Sequence, residues 1–354
     1  MYGSDVDINV EYVKTDWPIT IYKTNGQIEG ECKKVALPTL VTSIGKSLLV
    51  GQPLPVSHKR KMKTAIEILL PASCTCKSKP RPCVFISGIG SLVEKEKNQD
   101  SFSYWGKITG HTPCCSSTKY AVLNTTKVFW TDAQLQQKVC DHILIESATS
   151  EGSIISDTII FSYSMGGLLL AGAIANGRCS LNKSSTWVST GTPIYGTMGS
   201  DYLQDVCVNK TTLVVEKLAN FAELCPPKEG IKSMAYVNGT YSNNKLKMAY
   251  KAAQKAYVDN VYALMCSHSF SGVLSRYQAA FWVLGRIIPH KSRESDGAVE
   301  FSSCAGGFPA SNFGNDFRDR FYSSRLNHYD LAFRAGDALL DRTKMPMKWF
   351  ECLL

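Results

Sequence analysis

The stretch that decides the fold reads Thr158-Ile-Ile-Phe-Ser-Tyr-Ser164-Met-Gly-Gly-Leu-Leu-Leu-Ala-Gly-Ala-Ile-Ala175. Its first four residues form a β-branched and apolar run, which is typical of a buried strand. Its last eight residues are apolar and favour a helix, which Asn176-Gly177 would end. Small residues at Ser162 and Gly166, two before and two after Ser164, suit a turn that brings neighbouring backbones close together. The stretch therefore predicts a strand, a sharp turn at Ser164 and a helix.

The same alternation continues on both sides of this stretch. Upstream, Val84-Phe-Ile86 is an apolar run that ends in the glycine turn Ser87-Gly-Ile-Gly90, and Thr131-Asp132 is placed to cap a helix. Downstream, Trp187-Val-Ser-Thr190 indicates another buried strand, which Gly191-Thr-Pro193 closes. Strands that alternate with helices predict the α/β class, with a mostly parallel sheet flanked by helices.

Two regions depart from this pattern. Residues 1–79 are predicted to be an N-terminal extension of unknown role that ends in basic, loop-like stretches, and residues 80–354 to be the α/β domain. The strand signal fades over residues 201–290, where the apolar spacing predicts a helix over residues 245–264. We therefore expect a helical, lid-like cap inserted at 201–290, although the aromatic stripe of that helix fits ordinary core packing equally well.

The composition is that of a globular protein with a substantial core, since 44% of the residues are hydrophobic and 19% are charged. This balance excludes a disordered chain and a coiled coil. The formal net charge of +9 favours contact with anionic surfaces, but the basic runs lack interleaved aromatic residues, so no nucleic-acid partner is predicted. No apolar run reaches the roughly 18 residues of a membrane-spanning helix. Any contact with a membrane is therefore expected to be peripheral.

The sequence contains thirteen cysteines and four glycosylation sequons, and both features indicate the cellular compartment of the protein. The cysteines are scattered and lack the paired CxxC spacing of a zinc site, so several disulfides in an oxidising compartment are expected. The Asn-x-Ser/Thr sequons stand at Asn124, Asn182, Asn209 and Asn238. We therefore predict a glycosylated protein of the secretory pathway, although the first 27 residues contain no apolar segment of a signal peptide.

Ser164 is the candidate nucleophile, and a serine needs a base that is itself oriented by an acid. When the serine follows a strand of such a sheet, the chain order is Ser, acid, His, which excludes the histidines that precede Ser164. His268 lies in the predicted insertion, and His290 precedes the best acid candidate, Asp296. His328 remains, so the candidate triad is Ser164, Asp296 and His328.

Several motifs resemble those of a known family. Asp296-Gly-x-Val299, followed by Ser302-Ser303 and by Asn327-His-x-Asp330, resembles the C-terminal signature of secreted bacterial triacylglycerol lipases. The stretches at 162–167 and 187–193 are similar to those of the same lipases and of lipid acyl-hydrolases of the inositol-deacylase type. The resemblance extends in scattered motifs over residues 82–340, and it implies the α/β-hydrolase fold.

The same resemblance implies roles for individual residues. Ser164 would be the nucleophile, Asp296 the acid and His328 the base. The backbone N–H groups of Ile89 and Met165 would form the oxyanion hole, although this chain has Ser87 where the family usually has His. In some of these lipases an Asp two residues after the catalytic His binds Ca²⁺, and Asp330 matches that position. No companion Asp lies between residues 267 and 295, so Asp330 is a weak calcium candidate, and no metal or other cofactor is predicted.

These patterns predict a serine hydrolase that cleaves carboxylic esters, in particular those of lipids, through an acyl-enzyme. The departures at Ser87 and Ser162 favour one alternative, a catalytically inactive secreted binding protein with the same fold. The other alternative is an acyltransferase or thioesterase that uses the same triad, because the choice of acceptor depends on pocket shape and water exclusion rather than on the triad.

Overall fold

The computed structural model describes residues 19–24, 27–32, 73–208 and 225–354. The chain divides into two units, residues 1–72 and residues 73–354. In the first unit, strand β1 (Ile19–Thr24) pairs antiparallel with strand β2 (Gln27–Cys32). Most of the predicted N-terminal extension lies outside the described residues.

The second unit begins at Ser73, earlier than the domain boundary predicted at residue 79. Cys74 forms a disulfide with Cys352, and the Lys77 amide donates a hydrogen bond to the Leu354 carbonyl at 2.8 Å. The stretch 77–81 resembles a linker in sequence because it is rich in Lys, Ser and Pro. It is nevertheless attached to the C-terminal residues and leads directly into the first strand of the sheet.

The second unit contains eight strands and eight helices among its described residues. Its strands are β3 (Arg81–Ile86), β4 (Cys115–Ala121), β5 (Ile154–Ile155), β6 (Ile159–Tyr163), β7 (Ser180–Leu181), β8 (Thr186–Thr190), β9 (Val261–Ser267) and β10 (Phe321–Ser324). Its helices are α1 (Ala133–Leu144), α2 (Met165–Ala175), α3 (Met198–Cys207), α4 (Glu229–Lys232), α5 (Asn244–Asn260), α6 (Gln278–Ile287), α7 (Phe301–Ala305) and α8 (Pro346–Leu353). Short 3₁₀ turns cover Ala310–Asn312 and Asp330–Ala332.

Six of these strands form one parallel sheet in the order β10-β9-β8-β6-β3-β4, and β5 pairs with β7 beside it. All five residues of β6 are buried, as the apolar run at 158–161 predicts for an interior strand of a parallel sheet. The carboxyl ends of parallel strands meet at one edge, so the turn after β6 lies beside the loops that follow β3, β8 and β10. The predicted α/β class, with a mostly parallel sheet flanked by helices, is confirmed.

The two faces of the sheet carry separate apolar cores because successive side chains of a strand point to opposite faces. Val84 and Ile86 of β3 belong to the core shared with α1, α2 and α5. Cys83 and Phe85 belong to the core on the other face, where Phe350 of α8 meets the Phe85 ring edge-on at 5.8 Å. Each fully buried side chain of this size contributes about 1.5–3 kcal/mol to folding. The sheet edge that carries Ser164 is therefore held rigidly from both sides.

The helix predicted over residues 245–264 is shorter in the structure. Helix α5 ends at Asn260, and Val261 begins β9, a strand that lies between β8 and β10 in the central sheet. The short apolar run at 261–266 satisfies helical and strand spacing alike, and sheet pairing decides between them. Because α5 packs against α2, its aromatic stripe is core packing. The range 201–290 is therefore not one continuous cap, since it contains a core helix and a central strand.

Six disulfides join described cysteines, as the cysteine count predicts. They are Cys74–Cys352, Cys76–Cys114, Cys83–Cys115, Cys140–Cys179, Cys207–Cys225 and Cys266–Cys304. Among the described residues, the one cluster with metal-ligand spacing contains Cys74, Cys352 and Glu351, and its two sulfur atoms are already bonded to each other. Within the described ranges, the helices are too short or too polar to cross a bilayer.

Candidate active site

Ser164 occupies the sharp turn between β6 and α2. Its backbone has φ +53° and ψ −131°, and a positive φ is unfavourable for a residue with a side chain. The turn is held by two hydrogen bonds, from the Ser164 amide to the Thr190 carbonyl at 2.9 Å and from the Gly167 amide to the Ser164 carbonyl at 3.0 Å. Strain of this kind persists where the surrounding structure holds it, and it is common at functional sites.

Close backbone approach explains the small residues around this turn. A Cβ atom on Gly88 would lie 2.6 Å from Ser164 Cβ, and one on Gly166 would lie 2.6 Å from the Ser87 carbonyl oxygen. Ser162, where the family pattern has glycine, is buried, and its hydroxyl accepts a hydrogen bond from Trp187 Nε1 at 2.7 Å. The departure at Ser162 is therefore accommodated, because its only added polar group has a partner on the neighbouring strand.

The structure brings the three residues of the candidate triad into hydrogen-bond contact. His328 Nε2 lies 2.9 Å from Ser164 Oγ, and His328 Nδ1 lies 2.7 Å from Asp296 Oδ2. All three side chains are buried. Because an ionised carboxylate only accepts, the proton on the ring belongs at Nδ1, which leaves Nε2 free to accept the Ser164 hydroxyl proton. This arrangement allows general-base activation of the serine.

Backbone groups orient the acid. The second carboxylate oxygen, Asp296 Oδ1, accepts hydrogen bonds from the amides of Ala298 at 2.9 Å and Val299 at 2.7 Å. The His328 amide donates to the Asp296 carbonyl at 2.9 Å, so the two loops are also joined through the main chain. The carboxylate therefore reaches the imidazole with its remaining oxygen in a fixed direction.

Tyr163 and Gly191 hold His328 in position. The Tyr163 hydroxyl donates to the His328 carbonyl at 2.9 Å, and burial raises the pKa of Tyr163 well above its usual value, so the phenol remains a donor. Gly191 has φ +57°, and a Cβ atom there would lie 3.3 Å from His328 Cε1. Glycine thus provides both the backbone conformation and the space that the imidazole occupies.

The two predicted oxyanion donors belong to the first turn of α2 and to the loop after β3. Met165 is the first residue of α2, where amide N–H groups have no acceptor within the helix and the helix dipole favours negative charge. Ile89 lies in the loop after β3, and its carbonyl accepts from the Tyr104 hydroxyl at 2.9 Å. Arg334 in turn donates from Nε to the Tyr104 carbonyl at 2.7 Å, and its guanidinium lies 4.5 Å from the centre of the Tyr104 ring.

Tyr104, Tyr163 and Arg334 are supporting residues that the sequence reasoning missed. Tyr163 directly precedes Ser164, but nothing in the motif indicates that its hydroxyl reaches the His328 loop. Arg334 and Tyr104 are 230 residues apart in the chain, so no local pattern joins them. These contacts form only when the loops after β3 and β10 meet at the sheet edge.

Asp330 accepts main-chain hydrogen bonds in the loop that carries His328. Its Oδ2 atom accepts from the amides of Val273 at 2.8 Å and Asn327 at 3.2 Å. Burial raises the pKa of Asp330 to about 6. Within the described residues, Asp330 belongs to no group of three His, Cys, Asp or Glu side chains spaced to hold a metal. The other carboxylate oxygen, Asp330 Oδ1, is buried without a hydrogen-bond partner among the described residues, and calcium at Asp330 stays a prediction.

The sequons differ in their exposure. Asn182 and Asn238 are exposed, whereas Asn124 is half-buried. The Asn124 side chain accepts from the Lys127 amide at 3.1 Å, and the Asn182 side chain accepts from the Ser184 amide at 3.1 Å. Asn209 lies outside the described residues. Asn182 and Asn238 are therefore the most accessible of the sequons that the structure describes.

No protein-family model matches the chain, and no curated protein matches it. Solved structures similar to it include the mature form of lipase BlEst2 from Bacillus licheniformis, with 16% identity over 74% of this chain and 90% of that chain and a TM-score of 0.47. Another is the lipase of Staphylococcus hyicus, with 12% identity over 79% of this chain and 94% of that chain and a TM-score of 0.42. A third is a metagenomic carboxyl esterase, with 10% identity over 80% of this chain and 76% of that chain and a TM-score of 0.43. With TM-scores below 0.5 and identities of 10–16%, these likenesses carry no argument about the activity of this chain.

Proposed function

We propose that this protein is a serine hydrolase that cleaves carboxylic ester bonds, with lipid esters as its substrate class. The observation that carries the proposal is the hydrogen-bonded chain from Asp296 through His328 to Ser164, with the serine on a strained turn between strand and helix. A serine is a poor nucleophile at its ordinary pKa, and this arrangement supplies both the base and the acid that orients it.

Acylation begins when Ser164 Oγ attacks the ester carbonyl while His328 Nε2 takes the hydroxyl proton. The Asp296 carboxylate stabilises the imidazolium that forms, and it remains ionised. The oxygen of the tetrahedral intermediate accepts hydrogen bonds from the Ile89 and Met165 amides. In such sites one donor of this kind is worth about 100- to 1,000-fold in rate.

Acylation ends when His328 gives its proton to the departing alcohol oxygen, which breaks the ester C–O bond and leaves the acyl group on Ser164. Deacylation then uses the same groups. A water molecule then loses a proton to His328 and attacks the acyl carbon. Collapse of the second tetrahedral intermediate releases the carboxylic acid and returns the proton to Ser164.

The proposal places the protein in the secretory pathway as a glycoprotein. Six disulfides among the described cysteines support an oxidising compartment, because such bonds are rare where thiols are kept reduced. Glycans are proposed at Asn182 and Asn238, which are exposed, and at Asn124 and Asn209. Enzymatic removal of N-glycans from the secreted protein should lower its mass, and substitution of each Asn should remove one increment.

Hydrolysis of a series of p-nitrophenyl esters with increasing acyl length tests the reaction and the substrate class together. The chain is expected to hydrolyse these esters and to prefer long acyl groups, and Ser164→Ala should abolish turnover. Ser324→Ala is the matched control, because Ser324 is also a buried serine at the end of a strand of this sheet, and its hydroxyl donates to the Cys266 carbonyl rather than to a group of the proposed chemistry. A folded chain without turnover of any ester would support the inactive binding protein instead.

A further inference from the structure

The outward face of α6 is apolar except for one arginine, which reverses the usual pattern of a surface helix. At 100° per residue this face consists of Ala279, Trp282, Val283, Arg286 and Ile287. Trp282 is 47% exposed, Val283 57% and Ile287 37%. A contiguous apolar face of this kind on a folded protein marks a place where something binds.

The charged residues of α6 and of the chain on either side of it are of one sign. No Asp or Glu occurs between Asp259 and Glu294, whereas that interval contains four basic residues, all of them exposed: Arg276, Arg286, Lys291 and Arg293. The Arg286 guanidinium lies 4.9 Å from the centre of the Trp282 ring, so its charge is held beside the apolar side chains. A helix that combines exposed apolar residues, a tryptophan and flanking cations is suited to an anionic lipid interface.

The inner face of α6 packs on the two loops that carry the acid and the base of the candidate triad. The Phe281 ring lies 4.9 Å from the ring of Tyr329, the residue after His328. A Cβ atom on Gly297, the residue after Asp296, would lie 3.1 Å from the Phe281 carbonyl oxygen. A surface bound by the outer face of α6 would therefore lie close to the site where esters are proposed to be cleaved.

We propose that the outer face of α6 binds the surface of an anionic lipid bilayer. Trp282, Val283 and Ile287 insert among the lipid headgroups, while Arg276, Arg286 and the basic residues after the helix contact lipid phosphates and carboxylates. Binding in this orientation brings lipid esters to the sheet edge that carries Ser164. This last step rests on the proposed function, whereas the binding itself does not.

The test is co-sedimentation of the whole chain with vesicles of phosphatidylcholine alone or mixed with phosphatidylserine. The protein should bind the mixed vesicles, bind the neutral ones far less, and lose affinity as salt rises. The double variant Trp282→Ser/Val283→Ser should weaken binding about tenfold or more, and Arg276→Gln/Arg286→Gln should weaken binding to the mixed vesicles. Met248→Ser/Val258→Ser on α5 is the matched control, because both residues are exposed on another helix with basic side chains.

A fluorescence readout locates the contact. Trp105, Trp130, Trp187 and Trp349 are buried, so Trp282 is the exposed tryptophan among the described residues. Brominated lipids in mixed vesicles should quench its emission, and Trp282→Phe should remove that quenching. Absence of binding to mixed vesicles, or equal binding by the α6 variants and the α5 control, would overturn the proposal. Concentration-dependent dimerisation that the α6 variants abolish, without vesicle binding, would assign the face to a second copy of the chain instead.

Failure of this inference is separable from failure of the proposed function. Vesicle binding is measured without turnover, and it should be the same for Ser164→Ala as for the unmodified chain. Conversely, Trp282→Ser/Val283→Ser should leave hydrolysis of a soluble short-chain ester unchanged while reducing hydrolysis of esters embedded in anionic vesicles. Binding without any hydrolysis would leave the surface assignment intact and overturn the serine hydrolase.

Discussion

Two histidine–carboxylate pairs lie within one short region of this protein, and they have different surroundings. His328 Nδ1 is 2.7 Å from Asp296 Oδ2, and His290 Nδ1 is 2.8 Å from Glu300 Oε1. All four side chains are at most 9% exposed, and the two acids are four residues apart in the chain. By distance and burial alone, either pair resembles the acid and base of a catalytic site.

The pairs differ at the second ring nitrogen. His328 Nε2 meets Ser164 Oγ at 2.9 Å, whereas His290 Nε2 and Glu300 Oε2 have no hydrogen-bond partner among the described residues. A base becomes catalytic only when a nucleophile is within reach of its free nitrogen. The turn after β6 provides that nucleophile to His328, so the position of the serine distinguishes the two pairs.

The pair of His290 and Glu300 lies at the base of the loop that carries Asp296. Glu300 directly precedes α7, its carbonyl accepts from the Cys304 amide at 3.0 Å, and it forms a backbone bridge with Ser295. His290 follows α6, so the pair joins the end of α6 to the base of the loop that carries Asp296. Its expected role is to stabilise the fold.

Replacing each histidine by alanine should give the largest difference in kcat between the two pairs. We expect His328→Ala to lower kcat for a soluble ester by about 10⁴-fold or more, because no other group can take the Ser164 proton. His290→Ala should change kcat by less than about tenfold. The measurement is steady-state hydrolysis by variants whose circular dichroism is native. Equal losses in the two variants would contradict the distinction.

Neutralising each acid while keeping its shape is the next comparison. Asp296→Asn should lower kcat by about 10⁴-fold, since an amide no longer holds the imidazole in the required tautomer. Glu300→Gln should leave kcat within about threefold, because its carbonyl oxygen can still accept from His290 Nδ1. Initial rates over a range of pH test both variants. Near-normal activity of Asp296→Asn would remove Asp296 from the mechanism.

The stability of the second pair can be measured independently of catalysis. Glu300→Leu should lower the free energy of unfolding by about 3 kcal/mol, because it leaves the buried His290 Nδ1 without its hydrogen-bond partner. Adding His290→Leu should recover at least half of that loss, since replacing both partners of a buried hydrogen bond by apolar side chains is nearly neutral. Urea unfolding with disulfides intact gives both values. A Glu300→Leu variant as stable as the unmodified chain would show that the pair does not brace the loop.

The smallest expected effect concerns pH and the His328 loop, which contains Asp330. Burial raises the pKa of Asp330 in the folded chain to about 6, from its ordinary value of 3.8. The folded chain therefore binds this proton more tightly than the unfolded chain does. The contribution of Asp330 is therefore most favourable below pH 4, and it falls by up to about 3 kcal/mol as pH rises through 6.

The variant Asp330→Asn isolates this contribution because an amide does not titrate. The unfolding free energy of the unmodified chain minus that of Asp330→Asn should decrease between pH 4 and pH 7, as measured by urea unfolding. A difference that stays constant, or that increases with pH, would contradict the assignment of this titration to Asp330.

Sequence reasoning succeeded where the determining interactions are local. The strand, turn and helix around Ser164 follow from residues adjacent in the chain. Chain order selected Asp296 and His328, which the structure brings into hydrogen-bond contact with Ser164, while their catalytic roles stay a prediction. Sequence reasoning failed at Val261, where a short apolar run fits helix and strand alike until β8 and β10 pair with it.

Other features depend on contacts between distant parts of the chain. Chain order excluded His290 as the catalytic base, but it could not reveal that this histidine pairs with Glu300 across two loops. In the same way, Lys77 lies in a stretch that has the composition of a linker, and only its hydrogen bond to Leu354 shows that it belongs to the second unit. Such contacts are set by tertiary packing, which no local pattern encodes.

Labelling with a fluorophosphonate, followed by mapping of the modified residue by mass spectrometry, tests the central claim most directly. The account predicts one probe per chain on Ser164, no labelling of Ser164→Ala, strongly reduced labelling of His328→Ala, and near-normal labelling of His290→Ala. Modification of another residue, full labelling of Ser164→Ala, or a folded chain that the probe does not modify would contradict the proposed nucleophile.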